Sequence, residues 1–127
     1  LALEFNVNGI IATNTTLDRT KLLSKNQSQE GGLSGKPLFL KSNKILAQFS
    51  EELDGKIPLI GVGGASSALE VYSKIKAGAS AVQLYSALIY NGFSLVEKII
   101  KELDLLVKKD GYENIKQAVG VERKKWL

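Results

Sequence analysis

Ile57-Pro58-Leu59-Ile60-Gly61-Val62-Gly63-Gly64-Ala65-Ser66-Ser67-Ala68-Leu69-Glu70 is the stretch on which the fold turns. Its first six residues are apolar without clean alternation, the pattern of a short strand covered on both faces. Two glycines end the run. Ser67-Ala68-Leu69-Glu70 then has capping-box spacing, in which the hydroxyl and the carboxylate each satisfy a free backbone N–H at a helix start. The helix it opens runs to about Gly78, so the stretch reads as strand, tight turn and helix.

The same unit recurs on both sides. Upstream, Val7 to Ala12 reads as a strand, followed by a long polar segment from Thr13 to Pro37 and a helix. In that helix Ile45, Leu46, Phe49 and Leu53 share one face, Ser42 is placed to cap its start, and Gly55 suits a left-handed terminator. Downstream, Ala81 to Tyr85 reads as a third strand, with a short helical patch from Ser86 to Tyr90 broken at Gly92. A second helix from Ser94 to Lys109 carries Leu95, Ile99, Leu103 and Leu106 on one face and stops at Asp110-Gly111. Ile115 to Val119 is a last amphipathic fragment.

The order βα, βα, βα predicts parallel strands joined by right-handed crossovers. Three such strands in an open sheet would leave two unpaired apolar edges. A (β/α)₈ TIM barrel removes those edges but needs about 250 residues. The expected fold is therefore α/β, a partial TIM barrel over residues 1–127, with roughly half of the barrel missing. The start at Leu1 and the absence of Met agree with a partial piece.

Composition narrows the chemistry. With 44% hydrophobic and 24% charged residues the chain reads as an ordinary globular protein. It has no Cys and no His, which excludes disulfides, thiol chemistry, Cys/His zinc sites and a histidine acid or base within these residues. No apolar run reaches the length of a membrane span. The net charge of +4 includes a basic stretch from Arg19 to Lys44 and a basic end at Arg123-Lys124-Lys125. Without interleaved aromatic residues these read as solvated surface and not as a nucleic-acid platform. Glu70, Glu97, Glu102 and Asp104 read as solvated helix faces as well, not as acid–base pairs.

Ligands of α/β folds meet the carboxyl ends of the strands. Thr13-Asn14-Thr15-Thr16, Gly63-Gly64-Ala65-Ser66 and Tyr85-Ser86-Ala87 stand there. Gly63-Gly64 reads either as a plain tight turn or as an anion site, because glycine lets backbone N–H groups approach a ligand. Ser86 before a short extra helix in the next unit favours the anion site, since phosphate-binding barrels often use the loops after their last two strands. Asn14 offers one acceptor and two donors on a planar group, suited to a planar heterocycle; an Asx turn is the structural alternative. Gly31-Gly32-Leu33-Ser34-Gly35, before Lys36-Pro37, reads as either a flexible or a closely approached loop.

Four segments in order, Gly9-Ile10-Ile11-Ala12-Thr13-Asn14-Thr15-Thr16, Gly31-Gly32-Leu33-Ser34-Gly35-Lys36-Pro37-Leu38, Pro58-Leu59-Ile60-Gly61-Val62-Gly63-Gly64 and Ala77-Gly78-Ala79-Ser80-Ala81-Val82-Gln83-Leu84-Tyr85-Ser86-Ala87, together resemble the family of dihydroorotate dehydrogenases. The Gly-Leu-Ser-Gly-Lys-Pro-Leu form and Ala118-Val119-Gly120 look more like the quinone-reducing class than the soluble class. The resemblance covers almost all of the chain, from the sixth barrel strand to near the family's carboxyl end.

The resemblance implies that Thr13, Gly35, Gly63, Gly64, Tyr85 and Ser86 contact flavin mononucleotide (FMN), the last four around its phosphate. It implies that Asn14 and Thr15 contact the orotate ring. The implied chemistry is oxidation of dihydroorotate to orotate, in pyrimidine biosynthesis, with quinone reoxidising the flavin. The family's base, a Ser in this class, and its flavin-side Lys sit in earlier barrel loops, so no catalytic residue is expected here and the chain alone is expected to be inactive. The family's membrane contact and quinone tunnel come from an amino-terminal segment also absent here, so an inner-membrane location is implied for the parent only. Two other readings remain: a soluble flavin barrel using fumarate or nicotinamide, and a non-catalytic phosphate-binding or interaction module.

Overall fold

A computed structural model describes residues 1–20 and 22–127; Lys21, within the basic stretch read from the sequence, lies outside the described residues. Three parallel strands, β1 (Ile10–Ala12), β2 (Leu59–Val62) and β3 (Ala81–Gln83), form one sheet in the order β1-β2-β3. Ile10 pairs with Leu59, and Ile60 pairs with Ala81. Helices α1 (Phe39–Leu53) and α2 (Ala68–Ala77) follow β1 and β2, while α3 (Ser86–Asn91) and α4 (Ser94–Lys109) follow β3. The βα order read from the sequence is therefore the order observed. Each strand is shorter than its apolar run, because pairing begins and ends where a neighbouring strand is available.

The helices cover one face of the sheet. Leu46, Ala47 and Leu53 of α1 meet Leu59 of β2, Tyr72 and Ile75 of α2, Ala77 and Ala79 in one buried cluster. A second cluster joins Ala68 and Val71 of α2 to Leu95 and Ile99 of α4 and to Ala87. Gly61 marks the closest approach of helices to sheet: a Cβ there would stand 3.1 Å from Leu46 Cδ2 and 3.2 Å from Ala79 Cβ.

The opposite face is open, which corrects the expectation of strands covered on both sides. Ile11 is 57% exposed, and Ala81 and Gln83 are exposed beside it. Three strands cannot curl far enough to fill their own concave side; in a barrel the facing strands do so.

Other local expectations need revision. Ser42 does not cap α1: it is buried at the end of the helix's first turn, and the helix begins at Phe39 behind a 3-10 turn over Lys36–Leu38. Pro37 suits that position, since its missing N–H lies where no helical acceptor exists. Phe49 is 38% exposed, and the buried face of α1 is Ser42, Asn43, Leu46, Ala47, Ser50 and Leu53. The left-handed terminator of α1 is Asp54, with φ 44°, and Gly55 follows it at φ 76°. Residues 94–109 form a helix with the expected bounds; Glu97 and Asp104 lie on its solvated side, as read from the sequence, and pair there with Lys101 and Lys108.

After α4 the chain returns to the base of the sheet. The Gly120 N–H donates to Ile75 O at 3.0 Å, the Glu122 N–H donates to Lys76 O at 2.9 Å, and Arg123 pairs with Glu51 at 2.9 Å. These contacts tie the tail across the ends of α1 and α2. Leu46, fully buried between the two helices and β2, is the sharpest test of this packing. Leu46→Ala is expected to lower unfolding free energy by about 2–5 kcal/mol, read as a lower urea midpoint at unchanged slope.

Candidate functional site

The carboxyl ends of the three strands open into one cavity of about 370 Å³. Most residues singled out from the sequence line it: Thr13, Asn14 and Thr15 after β1, Gly35 from the long loop, Gly63 and Gly64 after β2, and Tyr85 and Ser86 after β3, while Thr16 faces away and pairs with Leu33. Residues from four separate stretches of sequence are gathered because parallel strands deliver their following loops to the same end of the sheet.

Gly63 and Gly64 have φ of 118° and 76°, backbone that side-chain-bearing residues rarely adopt. They are also hemmed in from behind. A Cβ on Gly64 would lie 2.6 Å from the Phe39 amide nitrogen, and one on Gly63 would lie 3.0 Å from Ser42 Oγ. The glycines are thus required by the start of α1, which packs directly against the turn, as much as by anything in front of it. The Ser42 hydroxyl lies 3.0 Å from both Gly63 O and Phe39 O, which share its one proton. In a trans peptide the Gly63 carbonyl and the Gly64 N–H point opposite ways. Fixing the carbonyl toward α1 therefore aims the N–H at the cavity.

Among the described residues, no hydrogen-bond acceptor within the chain takes the N–H groups of Gly63, Gly64, Tyr85 or Ser86. The Ser66 N–H is different: Glu70 Oε2 accepts from it at 2.8 Å and from Ser66 Oγ at 2.9 Å. The capping box is thus shifted by one residue, with the Glu70 N–H donating to Ser67 Oγ at 3.3 Å while its carboxylate reaches Ser66. Glu70 is the capping residue that its spacing from Ser67 predicts, and only the second reading of it, as solvated surface, is corrected. Burial raises its pKa, but the hydrogen bonds from Ser66 and Ser67 outweigh that and leave it below its ordinary value, with Lys36 adding to the lowering.

The long segment from Thr13 to Pro37 is folded on itself. Thr16 and Leu33 exchange backbone hydrogen bonds at 3.1 and 2.7 Å, and the Arg19 guanidinium donates to the carbonyls of Leu17, Gln29 and Gly31. This hairpin-like closure brings Ser34 and Gly35 against β3's loop, where Ser86 Oγ donates to Ser34 Oγ at 3.0 Å. Of the two readings left open for the glycine-rich loop, close approach is the one observed. Asn14 makes no Asx turn; its Oδ1 accepts from the neighbouring Thr15 N–H at 2.7 Å, leaving its amide group toward the cavity it lines.

Thr13 lines the cavity, but its hydroxyl oxygen is enclosed by the chain and has no hydrogen-bond partner among the described residues. The charge balance agrees with an anion: Lys36 lines the cavity, and no carboxylate is found among its lining residues. Lys36, Ser34 and Gln83 were not singled out from the sequence. Lys36 and Ser34 lay inside a quoted motif whose loop had no readable direction, and Gln83 lies inside a strand.

The Glu70 cap generates a pH prediction. A carboxylate held below its unfolded value contributes stability that is present above the unfolded pKa and lost as pH falls through the folded one. Thermal unfolding of the wild type is expected to lose stability from about pH 4.5 downward in excess of Glu70→Gln, whose amide oxygen still caps but does not titrate.

Comparison with known proteins places these features in a family. The family model described as dihydroorotate dehydrogenase matches residues 1–107. A protein of Cereibacter sphaeroides named dihydroorotate dehydrogenase (quinone) is 51% identical over all 127 residues of this chain, which cover 36% of its own length. A protein of the same name from Sulfurimonas denitrificans is 54% identical over 98% of this chain and 35% of its own. Among solved structures, ligand-free DHODH from Eimeria tenella aligns with a TM-score of 0.91 at 36% identity, over 95% of this chain and 34% of its own. The same enzyme in complex with ferulenol aligns with a TM-score of 0.92 at 35% identity, over 97% of this chain and 33% of its own. The chain thus spans about a third of the length of the relatives it matches, and its three βα units are a portion of their TIM barrel. On these grounds the chain belongs to the dihydroorotate dehydrogenase family.

Proposed function

We propose that the protein bearing this sequence oxidises dihydroorotate to orotate with FMN as its flavin and quinone as electron acceptor, in pyrimidine biosynthesis. Residues 1–127 form the part of its barrel that holds the flavin's phosphate and touches the pyrimidine. The observation that carries this reading is the single cavity lined by Gly63, Gly64, Tyr85 and Ser86, whose N–H groups find no acceptor among the described residues, together with Asn14 and Lys36.

The donor set fits the cofactor. Backbone N–H groups in a strand-end turn hold a phosphate without a dedicated cation, and Lys36 stands beside them. Gly63, Gly64, Tyr85 and Ser86 are assigned to the phosphate. Thr13 and Gly35 are assigned to the remainder of the flavin. Asn14 and Thr15, at the end of β1, are assigned to the substrate ring, whose C=O and N–H groups match the Asn14 amide. When bound, the flavin supplies the ring that accepts hydride; this chain's part is to anchor and orient it.

The proton that leaves with the hydride goes to a base that is not assigned to this chain, which has neither His nor Cys. The name shared by the relatives favours quinone over fumarate or a nicotinamide as acceptor. It also favours association with an inner membrane, bacterial or mitochondrial; no helix of the described residues is long and apolar enough to cross one.

The natural-length protein is expected to reduce a soluble quinone analogue with dihydroorotate as donor. Activity confined to fumarate or a nicotinamide would replace the acceptor assignment, and inertness toward dihydroorotate would remove the substrate. Gly64→Ala should abolish flavin retention, since its Cβ collides with Phe39 and its backbone conformation is strained. The measurement is flavin absorbance per protein after gel filtration. The 127-residue chain by itself should show no turnover.

A further inference from the structure

Lys74 is fully buried, with 0% of its surface exposed, in the middle of α2 where it meets α1. Its ammonium donates to Ser42 Oγ at 2.7 Å and Asn43 Oδ1 at 2.8 Å, and lies 5.3 Å from the centre of the Phe39 ring. None of the ion pairs among the described residues includes it. A buried charge without a counter-charge is costly, and replacing it by an apolar side chain of similar volume is often neutral or stabilising. Packing between two helices is therefore a weak reason for an ammonium to be there.

What the ammonium does reach is the Gly63–Gly64 turn. It donates to Ser42 Oγ, whose single proton has two acceptors at 3.0 Å, Phe39 O within α1 and Gly63 O across the turn; given to Gly63 O, it links the ammonium to the carbonyl that sets the direction of the Gly64 N–H. Donation from a charged group polarises the hydroxyl and strengthens its next hydrogen bond. The positive charge itself sits one hydroxyl behind the turn, shielded from water, where electrostatic effects are large.

We propose that Lys74 is a positioning and charge-compensating residue for a phosphate monoester at the Gly63–Gly64 turn, orienting the turn through Ser42 and supplying the buried counter-charge to the phosphate dianion. This inference rests on the reading that the flavin's phosphate occupies that turn. Burial pushes the Lys74 ammonium down to about 8, with the Glu70 carboxylate acting in the opposite direction. Glu70, one turn earlier on α2, is the titratable group that acts on it. The groups packed against Lys74 from α1, β2 and the loop after α2 are Ser42, Asn43, Phe39, Gly61 and Ala79, none of which titrates. About half of the ammonium is protonated at pH 8, so the compensation is near complete only a unit or more below that and is withdrawn as pH rises above it.

The test uses the natural-length protein stripped of flavin and titrated with FMN and with riboflavin, followed by quenching of flavin fluorescence. The ratio of the two affinities isolates the phosphate. In the wild type FMN is expected to bind at least about a hundredfold tighter than riboflavin. Lys74→Met should lower that ratio by about tenfold or more while leaving riboflavin affinity within about twofold. Ser42→Ala, which cuts the relay and keeps the charge, should lower it less. Between pH 7.5 and 9.5 the wild-type ratio should fall, by at most about tenfold per pH unit, and the Lys74→Met ratio should stay flat. A wild type that binds both ligands equally would remove the phosphate from this turn. A wild type that prefers FMN, combined with an unchanged ratio in Lys74→Met, leaves the phosphate there and overturns the role of Lys74. Should that variant fail to fold, a Ser42→Ala ratio equal to that of the wild type overturns the relay through which Lys74 acts.

Discussion

The contact between the first turn of α1 and the Gly63–Gly64 turn is the constraint on which the rest of the site depends. Phe39 and Ser42 stand where any side chain on the two glycines would have to go. The turn can exist only without Cβ atoms, and with its carbonyl face held by a helix its amide face is left toward the cavity. A turn of the same sequence without that helix behind it would be free to rotate its peptide and lose the donor direction.

This arrangement ties the helix layer to the strand-end chemistry. Position along α1 is set by its buried face, from Ser42 and Leu46 to Leu53, packed on β2 and α2. The small residues of the sheet–helix interface, Gly61 and Ala79 among them, let α1 and α2 approach closely. A shift of α1 by a fraction of an ångström would reach the Gly63 carbonyl directly, because close-packed interiors transmit displacement instead of absorbing it. Core packing and ligand geometry are thus a single problem in this chain.

Polar groups in the interior follow the same division. Glu70 and Ser67 close the start of α2 with hydrogen bonds and are satisfied within the chain. Tyr72 donates to Asp110, and Lys76 bridges Asp110 and Glu122, so the tail is held by satisfied groups too. The buried groups left without full partners, Thr13 Oγ1 and Asn43 Nδ2 in the described residues, belong to the cavity and to the Lys74 cluster behind it.

Much of this protein is legible along the chain because its determinants are local. The alternation of short β-rich runs with helical periodicity settles strand and helix order, and Asp110-Gly111 and Gly92 stop their helices wherever the remainder goes. The glycines and hydroxyls at strand ends mark the site for the same reason, since parallel topology sends every such end to one side. What a linear reading could not reach depends on neighbours distant in sequence. Ser42 resembles a cap by spacing, but β2's turn makes it an interior donor. Lys74 resembles one more surface lysine of an amphipathic helix, and only the approach of α1 across more than thirty residues buries it. The long loop needed the Thr16–Leu33 pairing to bring Gly35 beside Ser86. Local pattern decides which elements form and where their ends lie; the direction in which a hydroxyl, an ammonium or a peptide points is set by whatever packs against it.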